Sequence, residues 1–115
     1  MASTFKNAGI TVPVVDTTAG DLFTAGASAT AVIHALYISN KSTTASATVN
    51  VKVTTDGGST FYHIGKSLEV PPNNTLTLDK PVNLESNDKV RIVADANPDS
   101  SSVDVEAYAS ILELT

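Results

Sequence analysis

The stretch that decides the fold is ATVNVKVTTDGG, residues 47–58. Apolar and polar residues alternate along it: the apolar set is Val49, Val51 and Val53, and the polar set is Asn50, Lys52 and Thr54. Because successive side chains on a strand point to opposite faces, this predicts a strand with one side in the core and one in water. The Asp-Gly-Gly at its end tolerates the positive φ that a hairpin turn requires, and a second apolar run begins at Phe61.

The rest of the chain repeats this pattern of short apolar runs and turns. Turn signals recur at intervals of roughly ten residues, the spacing typical of an all-β sandwich or barrel. Serine and threonine are abundant and β-branched residues dominate the apolar set, which favours strand over helix. We interpret the chain as an all-β antiparallel β-sandwich, jelly-roll or immunoglobulin-like, with about seven or eight strands.

Several local features refine this interpretation. The run Thr30–Asn40 is apolar on both faces, which predicts burial on both sides or a bulge. Gly65 interrupts the next strand and predicts a second bulge, while Pro-Pro-Asn-Asn at residues 71–74 predicts a turn. One face of the last strand is predicted to enter the core, and its residues are Val103, Val105, Ala107, Ala109 and Ile111.

The domain prediction is an N-terminal arm over residues 1–15 followed by a single sandwich domain over residues 16–115. The total of 115 residues suits one domain. Pro13 cannot donate to a strand ladder, so its segment is an edge strand or an extended arm. An extended arm can add a strand to a neighbouring chain, which makes it the predicted partner-binding element. Its candidate contact residues are Phe5, Ile10, Val12, Pro13 and Val14.

Composition argues against several classes of function. The net charge is −5 and the seven Lys and Arg residues are scattered, so we expect no nucleic-acid partner. The absence of cysteine excludes disulfides, thiolate zinc sites and cysteine nucleophiles. No apolar run approaches a membrane span or the core of a signal peptide, so we expect no membrane partner and synthesis in a cytoplasm.

No catalytic constellation is visible, and we expect no enzyme, catalytic residue or cofactor. His34 and His63 are the only histidines, and each lies in a predicted strand among apolar residues. The chain contains neither a G-x-S-x-G elbow nor an H-E-x-x-H helix motif. A structural or solvent-facing role is therefore favoured for both histidines.

One acidic loop has the spacing of calcium ligands. Its candidate ligands are Asp95, Asn97, Asp99 and Glu106, which fall at positions 1, 3, 5 and 12 of an EF-hand loop. Pro98 and Ser100 depart from that pattern, since Ser100 stands where the sharp turn needs glycine. We favour a solvated acidic loop without metal and keep calcium as the alternative.

The aromatic residues raise the question of a sugar-stacking platform. The residues concerned are Tyr37, Phe61, Tyr62 and Tyr108. Strand alternation places Tyr62 opposite Phe61, so at most a subset shares one face. Packing in the core or at an interface is the favoured interpretation.

The chain resembles small structural proteins of tailed-phage virions over roughly residues 20–114. Besides the valine strand and its DGG turn, the matching segments are VIHALYISN (32–40), VPPNNTL (70–76), LESNDKV (84–90) and YASILE (108–113). The resemblance implies a β-sandwich component of a head, neck or tail. Within that group it favours a head decoration, or cement, protein that binds the outside of the capsid and stabilises it.

The resemblance also implies partners and location. They are the major capsid protein and further copies of this chain, as a homo-oligomer and, at three-fold positions, a trimer. The location would be the virion surface, after synthesis in the host cytoplasm. A neck or tail component, such as a tail-terminator or fibre-associated subunit, is the alternative, and a carbohydrate-binding module is a further one.

Overall fold

The computed structural model describes residues 2–95 and 104–115, and within them the chain is all β. A single 3-10 turn, Thr18–Gly20, precedes the second strand, and none of the described helices is long and apolar enough to cross a membrane. The described strands are β1 (Ser3–Thr11), β2 (Asp21–Thr24), β3 (Thr30–Asn40), β4 (Ala47–Thr54), β5 (Phe61–Val70), β6 (Asn74–Leu78), β7 (Val82–Leu84), β8 (Lys89–Ala94) and β9 (Val105–Leu114).

Two antiparallel sheets pack face to face. Their strand orders are β1-β9-β3-β6 and β2-β8-β4-β5, and β7 also pairs with β3. Because β6 and β7 both lie along β3, with Pro81 in the break between them, they count as one interrupted strand. Each sheet then has four strand positions and the chain crosses between the sheets as in a jelly roll. The predicted sandwich is confirmed, and its type is the jelly roll.

Strand β1 lies in the segment predicted as an arm. Residues of Ser3–Thr11 pair antiparallel with β9 along the whole strand, from Ser3 opposite Leu114 to Thr11 opposite Glu106. In this chain the segment is an edge strand of the five-stranded sheet, which is one of the two alternatives that Pro13 left open. Nine strands are described when β6 and β7 are counted separately, and eight when they are counted as one interrupted strand, which is within the number expected from the sequence.

The core lies between the two sheets and is built from aliphatic side chains. Val49 and Val51 are fully buried and Val53 packs against them, as the valine alternation predicts. On the last strand the predicted core face is also confirmed for its described members, whereas Val103 lies outside the described residues. Each fully buried valine or isoleucine contributes about 1.5–3 kcal/mol to folding.

The predicted turn and bulges are confirmed. Strands β4 and β5 form a hairpin whose turn holds Gly57 at φ 78° and Gly58 at φ 117°, a region that favours glycine. The β3–β9 register shifts at His34, between Ile33 and Ala35. The β4–β5 register shifts around Gly65, where a Cβ would lie 2.5 Å from the Leu68 side chain.

The expectation of a wet face on β4 is wrong. Asn50, Lys52 and Thr54 retain only 6%, 8% and 2% of their exposure. Each has partners from elsewhere in the chain, in residues far from β4 in sequence. Both faces of β4 are therefore buried, one in an apolar core and one among polar groups.

Candidate partner-binding surface

The outer side of the five-stranded sheet, called here the open face, is an exposed surface of mostly uncharged side chains. Strands β1, β9 and β3 pair in register, so residues directed away from the core form rows across the sheet. Its residues are Ser3, Phe5, Asn7, Gly9 and Thr11 on β1, Glu106, Tyr108, Ser110, Leu112 and Leu114 on β9, Thr30, Val32, Ala35, Tyr37 and Ser39 on β3, Thr75 and Thr77 on β6, and Asn83 on β7.

Two aromatic side chains are paired on the open face. The rings of Tyr37 and Tyr108 lie with centroids 6.2 Å apart and planes inclined by 38°. Both remain partly exposed, at 39% and 45%. Gly9 lies opposite Tyr108 in the next strand, and the missing side chain leaves a shallow concavity of about 410 Å³ beside the rings. Tyrosines combine apolar area with a polar tip, which suits them to interfaces.

Charge is nearly absent from the open face. Glu106 is the one acidic or basic side chain in the set, and its carboxylate lies 3.2 Å from the Lys41 ammonium. Ser39 and Thr75 satisfy each other through a hydrogen bond of 2.9 Å. A partner would meet this face without having to desolvate an unpaired charge.

The outer side of the four-stranded sheet, called here the closed face, carries a network of charges. Its charged residues are Asp16, Asp21, Lys52, Lys89 and Arg91. The Arg91 Nε donates to the Asp21 carboxylate at 2.6 Å, and the Arg91 Nη1 donates to the Asp16 carboxylate at 3.2 Å. Lys52 also pairs with Asp16, which comes from the segment that joins β1 to β2.

Phe61 completes the closed face. Its ring lies under two cations, 4.3 Å from the Arg91 guanidinium carbon and 5.2 Å from the Lys52 ammonium. The hydrogen-bonded Lys52 ammonium lowers the pKa of the Asp16 carboxyl below its usual value, and Arg91 adds to this effect. The closed face thus binds the 13–20 segment of its own chain.

The remaining polar groups of β4 are also satisfied within the molecule. Asn50 donates to the Asp95 carboxylate at 3.0 Å and accepts the Ser67 N–H at 2.9 Å. The Thr54 hydroxyl accepts the Lys89 N–H at 3.0 Å. Buried polar groups are tolerated when they are hydrogen-bonded in this way.

The side of β1 that faces away from β9 is called here the open edge. Ala2 and Thr115 exchange both backbone hydrogen bonds at 2.9 Å, and the Val12 N–H donates to Val105. Because bonding direction alternates along an antiparallel strand, the even residues of β1 bond to β9. The backbone N–H and C=O groups of Ser3, Phe5, Asn7, Gly9 and Thr11 therefore point outward, and in the described residues no strand lies beyond them.

The other sheet edges are shorter or irregular. Strand β2 has four residues, and the edge formed by β6 and β7 is broken at Pro81. Strand β5 is longer but is bulged near Gly65, with Ser67 at φ 54° and Lys66 beside it. Such features protect an edge from pairing with other chains. The open edge, with nine regularly paired residues, is the long described edge without a break or a bulge, and its one lysine, Lys6, is paired with Glu113 of its own sheet.

An ion pair fastens β1 to the sheet. The Lys6 ammonium lies 2.6 Å from the Glu113 carboxylate, which is buried and also accepts the Gly26 N–H. Lys6 lowers the pKa of Glu113, and the Gly26 hydrogen bond contributes in the same direction. The open edge is therefore held in place as a preformed strand.

The predicted arm residues have different environments. Phe5 is 82% exposed and belongs to both the open face and the open edge, and Val14 is also exposed. Ile10 and Pro13 are half-buried. Val12 is fully buried in the core, so its side chain is not available to a partner in this chain.

The calcium alternative stays a prediction. Asn97 and Asp99 lie outside the described residues. Asp95 accepts a hydrogen bond from Asn50, and Glu106 pairs with Lys41 on the open face. Among the described residues no group of three or more His, Cys, Asp or Glu side chains could hold a metal ion.

Both histidines are exposed, and the aromatic residues are divided between different faces of the sandwich. His34 lies exposed at the β3 bulge and His63 is exposed on β5. The expectation that only a subset of the aromatics shares a face is confirmed, since Phe61 lies on the closed face. The Tyr37–Tyr108 pair needed the β3–β9 register, and the closed-face charges needed contacts between distant segments, so strand alternation alone missed both.

Comparison with known proteins shows likeness in fold. No family model matches the chain, and no curated protein matches it. The core of the Drosophila protein NLP, described in connection with pentamer formation and histone binding, superposes with a TM-score of 0.50 and 12% identity over 96% of this chain and 98% of that one.

Structural neighbours also include phage capsid proteins. One is from the capsid of Helicobacter pylori bacteriophage KHP30, with a TM-score of 0.49 and 16% identity over 100% of this chain and 89% of that one. Another is a pentameric capsid protein from metagenomic phage sequences, with a TM-score of 0.43 and 14% identity over 87% and 65% of the two chains. At these identities the likeness concerns the sandwich fold alone.

Proposed function

We propose that this chain is a non-enzymatic structural protein of a phage virion, which decorates the outside of the head shell and stabilises it. The observation that carries the proposal is the open face, an exposed and nearly uncharged sheet surface with the Tyr37–Tyr108 pair. The sequence resemblance to tailed-phage structural proteins supplies the biological context. The proposed partners are the major capsid protein and further copies of this chain.

The open face suits binding to a protein shell. Aromatic side chains are enriched in protein interfaces and charged ones are depleted at their centres, a distribution that the open face matches. Its one acidic residue, Glu106, is neutralised by Lys41 within the chain. A cement protein that bridges neighbouring capsid subunits would stabilise the shell by mass action, because it binds the assembled state alone.

The direct test uses heads assembled without this protein. Wild-type chain should sediment with these heads and raise their melting temperature. Tyr108→Glu, which places a charge at the centre of the open face, should lose both effects. Tyr62→Glu is the matched control, because Tyr62 is similarly exposed, at 56%, on β5 of the other sheet, and it should bind like wild type. Failure of the wild-type chain to bind heads would refute the decoration role.

Binding to isolated tails and necks distinguishes the decoration role from the main alternative, a neck or tail component. A tail-terminator or fibre-associated subunit would sediment with those structures and leave heads unbound. The homo-oligomeric part of the proposal is tested by the mass of the purified protein in solution. The trimer at three-fold positions is the form that the resemblance implies.

Carbohydrate binding is the second candidate, favoured by the tyrosine pair beside a concavity lined also by Ser39 and Glu106. Stacking of a sugar ring on tyrosine together with polar contacts is a recognised combination in ligand sites. Saturable binding of soluble oligosaccharides that is lost in Tyr37→Ala, with no binding to heads, would favour this function instead.

A further inference from the structure

We infer that β1 pairs antiparallel with β1 of a second copy of this chain, across a two-fold axis at Asn7. The inference deepens the proposed function by naming the contact between copies. It rests on the homo-oligomeric part of that proposal, and it puts a two-fold dimer in place of the trimer that the resemblance implies. The open edge provides the backbone groups, and the side chains of β1 provide the register. Two five-stranded sheets would then join into one continuous sheet.

The backbone geometry permits this pairing without changing the chain. Since the even residues of β1 bond to β9, the odd residues present their N–H and C=O groups to a newcomer. An axis at Asn7 places Ser3 opposite Thr11 and Phe5 opposite Gly9 of the second copy. Every odd residue then meets an odd residue, so each pair can exchange two backbone hydrogen bonds.

The side chains favour this register over its neighbours. An axis at Lys6 would place two lysines directly opposite each other, which is unfavourable. An axis at Ala8 would leave Ser3 and Thr4 without partners. The axis at Asn7 uses the whole strand, and it places Lys6 opposite Ala8 while each Lys6 keeps its own Glu113.

The axis at Asn7 also matches the apolar rows of the two open faces. In one row Val32, Leu112 and Phe5 lie side by side across the sheet, and in the other Tyr37, Tyr108 and Gly9 do. Pairing Phe5 with Gly9 of the second copy joins these rows end to end. The most exposed large apolar side chain, Phe5 at 82%, would cover a strand glycine, an arrangement known to stabilise sheets.

Single-cysteine variants test the register, because the chain has no cysteine of its own. In an Asn7→Cys dimer the Cα atoms of the two introduced cysteines would lie about 5.5 Å apart, within the range of a disulfide. Mild oxidation of this variant should therefore give a covalent dimer. Phe5→Cys is the control, since its two cysteines would lie about 14 Å apart and should give roughly a tenth of the dimer or less. Mixing Phe5→Cys with Gly9→Cys should restore cross-linking.

Proline variants test the outward-facing backbone groups of the open edge independently of those that bond to β9. The Asn7 N–H points outward, so Asn7→Pro should convert the dimer to a monomer in sedimentation. Its melting temperature should equal that of wild type at a protein concentration low enough for the wild-type dimer to dissociate. Ala8→Pro removes a ladder donor instead and should lower the melting temperature. Asn7→Lys, which brings two lysines together at the axis, should also give a monomer.

Several results would overturn the inference. They are a wild-type monomer at high micromolar concentration, an assembly with an odd number of subunits, or equal cross-linking of Asn7→Cys and Phe5→Cys. Cross-linking between separate Asn7→Cys and Ser110→Cys chains would show that β1 is exchanged onto β9 of a neighbour, which also overturns it. Monomeric Asn7→Pro that still binds heads would leave the decoration role intact, so the two failures are distinguishable.

Discussion

The two outer faces of this sandwich differ in charge and in whether another segment of the chain covers them. Each is the solvent side of an antiparallel sheet. The closed face carries paired charges that bind the 13–20 segment of its own chain, with Arg91 and Asp21 almost fully covered. The open face has one acidic residue, two partly exposed tyrosines and no segment of the described chain across it.

The difference between the faces assigns them different tasks. Residues of the closed face are committed to internal contacts, so their replacement should act on folding. Residues of the open face make few internal contacts, so their replacement should act on binding to a partner. Matched substitutions on the two faces can therefore test the comparison directly.

The largest effect is expected from the ion pairs. Arg91→Ala leaves the mostly covered Asp21 carboxylate with Lys89 as its remaining ion-pair partner and should lower the free energy of unfolding by about 3 kcal/mol. Lys41→Ala removes the exposed pair with Glu106 and should cost no more than about 0.5 kcal/mol. Urea unfolding measures both values, and similar losses in the two variants would contradict the comparison.

Glycine replacement should give the next largest contrast. A Cβ at Gly20 would lie 2.4 Å from the Ile92 carbonyl oxygen, so Gly20→Ala should cost about 2 kcal/mol through displaced backbone. A Cβ at Gly9 would lie 3.6 Å from the nearest atom, an ordinary contact, so Gly9→Ala should fold at least as stably as wild type. Thermal melts of the two variants would refute this contrast if Gly9→Ala were the less stable.

The third effect concerns pH. The folded-state pKa of Asp16 lies below its unfolded value of 3.8, so its stabilisation is present above that pH and is lost as pH falls through the folded pKa. Asp16 is half exposed, so this amounts to less than about 1 kcal/mol. Between pH 6 and pH 2.5 the melting temperature of wild type should fall further than that of Asp16→Asn. Glu113 and Asp56, whose pKa values are also lowered, stay in both proteins, so the difference reports Asp16.

The smallest effect on folding is expected on the open face. Tyr108→Thr keeps a residue suited to strands and should change the free energy of unfolding by no more than about 0.5 kcal/mol. Phe61→Thr on the closed face removes the ring under Arg91 and Lys52 and should cost about 1 kcal/mol or more. Chemical denaturation distinguishes the two, and a larger loss for Tyr108→Thr would reverse the assigned tasks.

Local sequence was sufficient for the strands whose signal is carried by their own residues. The β4 valines, the Gly57-Gly58 turn and the bulges at His34 and Gly65 all follow from alternation and glycine chemistry. The resemblance to virion proteins also implied a β-sandwich, which is the fold of this chain. In each case the residues that determine the structure lie within a few positions of one another.

Features that depend on distant residues were not predictable in this way. The sequence around Lys52 predicts an exposed side chain. Lys52 is buried because Asp16 and Phe61, from other segments, pack against it. Strand β1 is built largely from small and polar residues, so its pairing is recognisable only beside β9. The open face depends on the register of β1, β9 and β3, which pairs residues distant in sequence.

The position of β9 between β1 and β3 has a consequence for the order of folding. Thr30 and Ser3 both lie opposite Leu114, so two ladders depend on the same late segment of the chain. Closing loops of this length is entropically costly and slows folding. A nascent chain that lacks residues 105–114 can pair β3 with β6 and β7 but cannot dock β1. The five-stranded sheet therefore forms only after β9 is made, and the open face is completed in the same step.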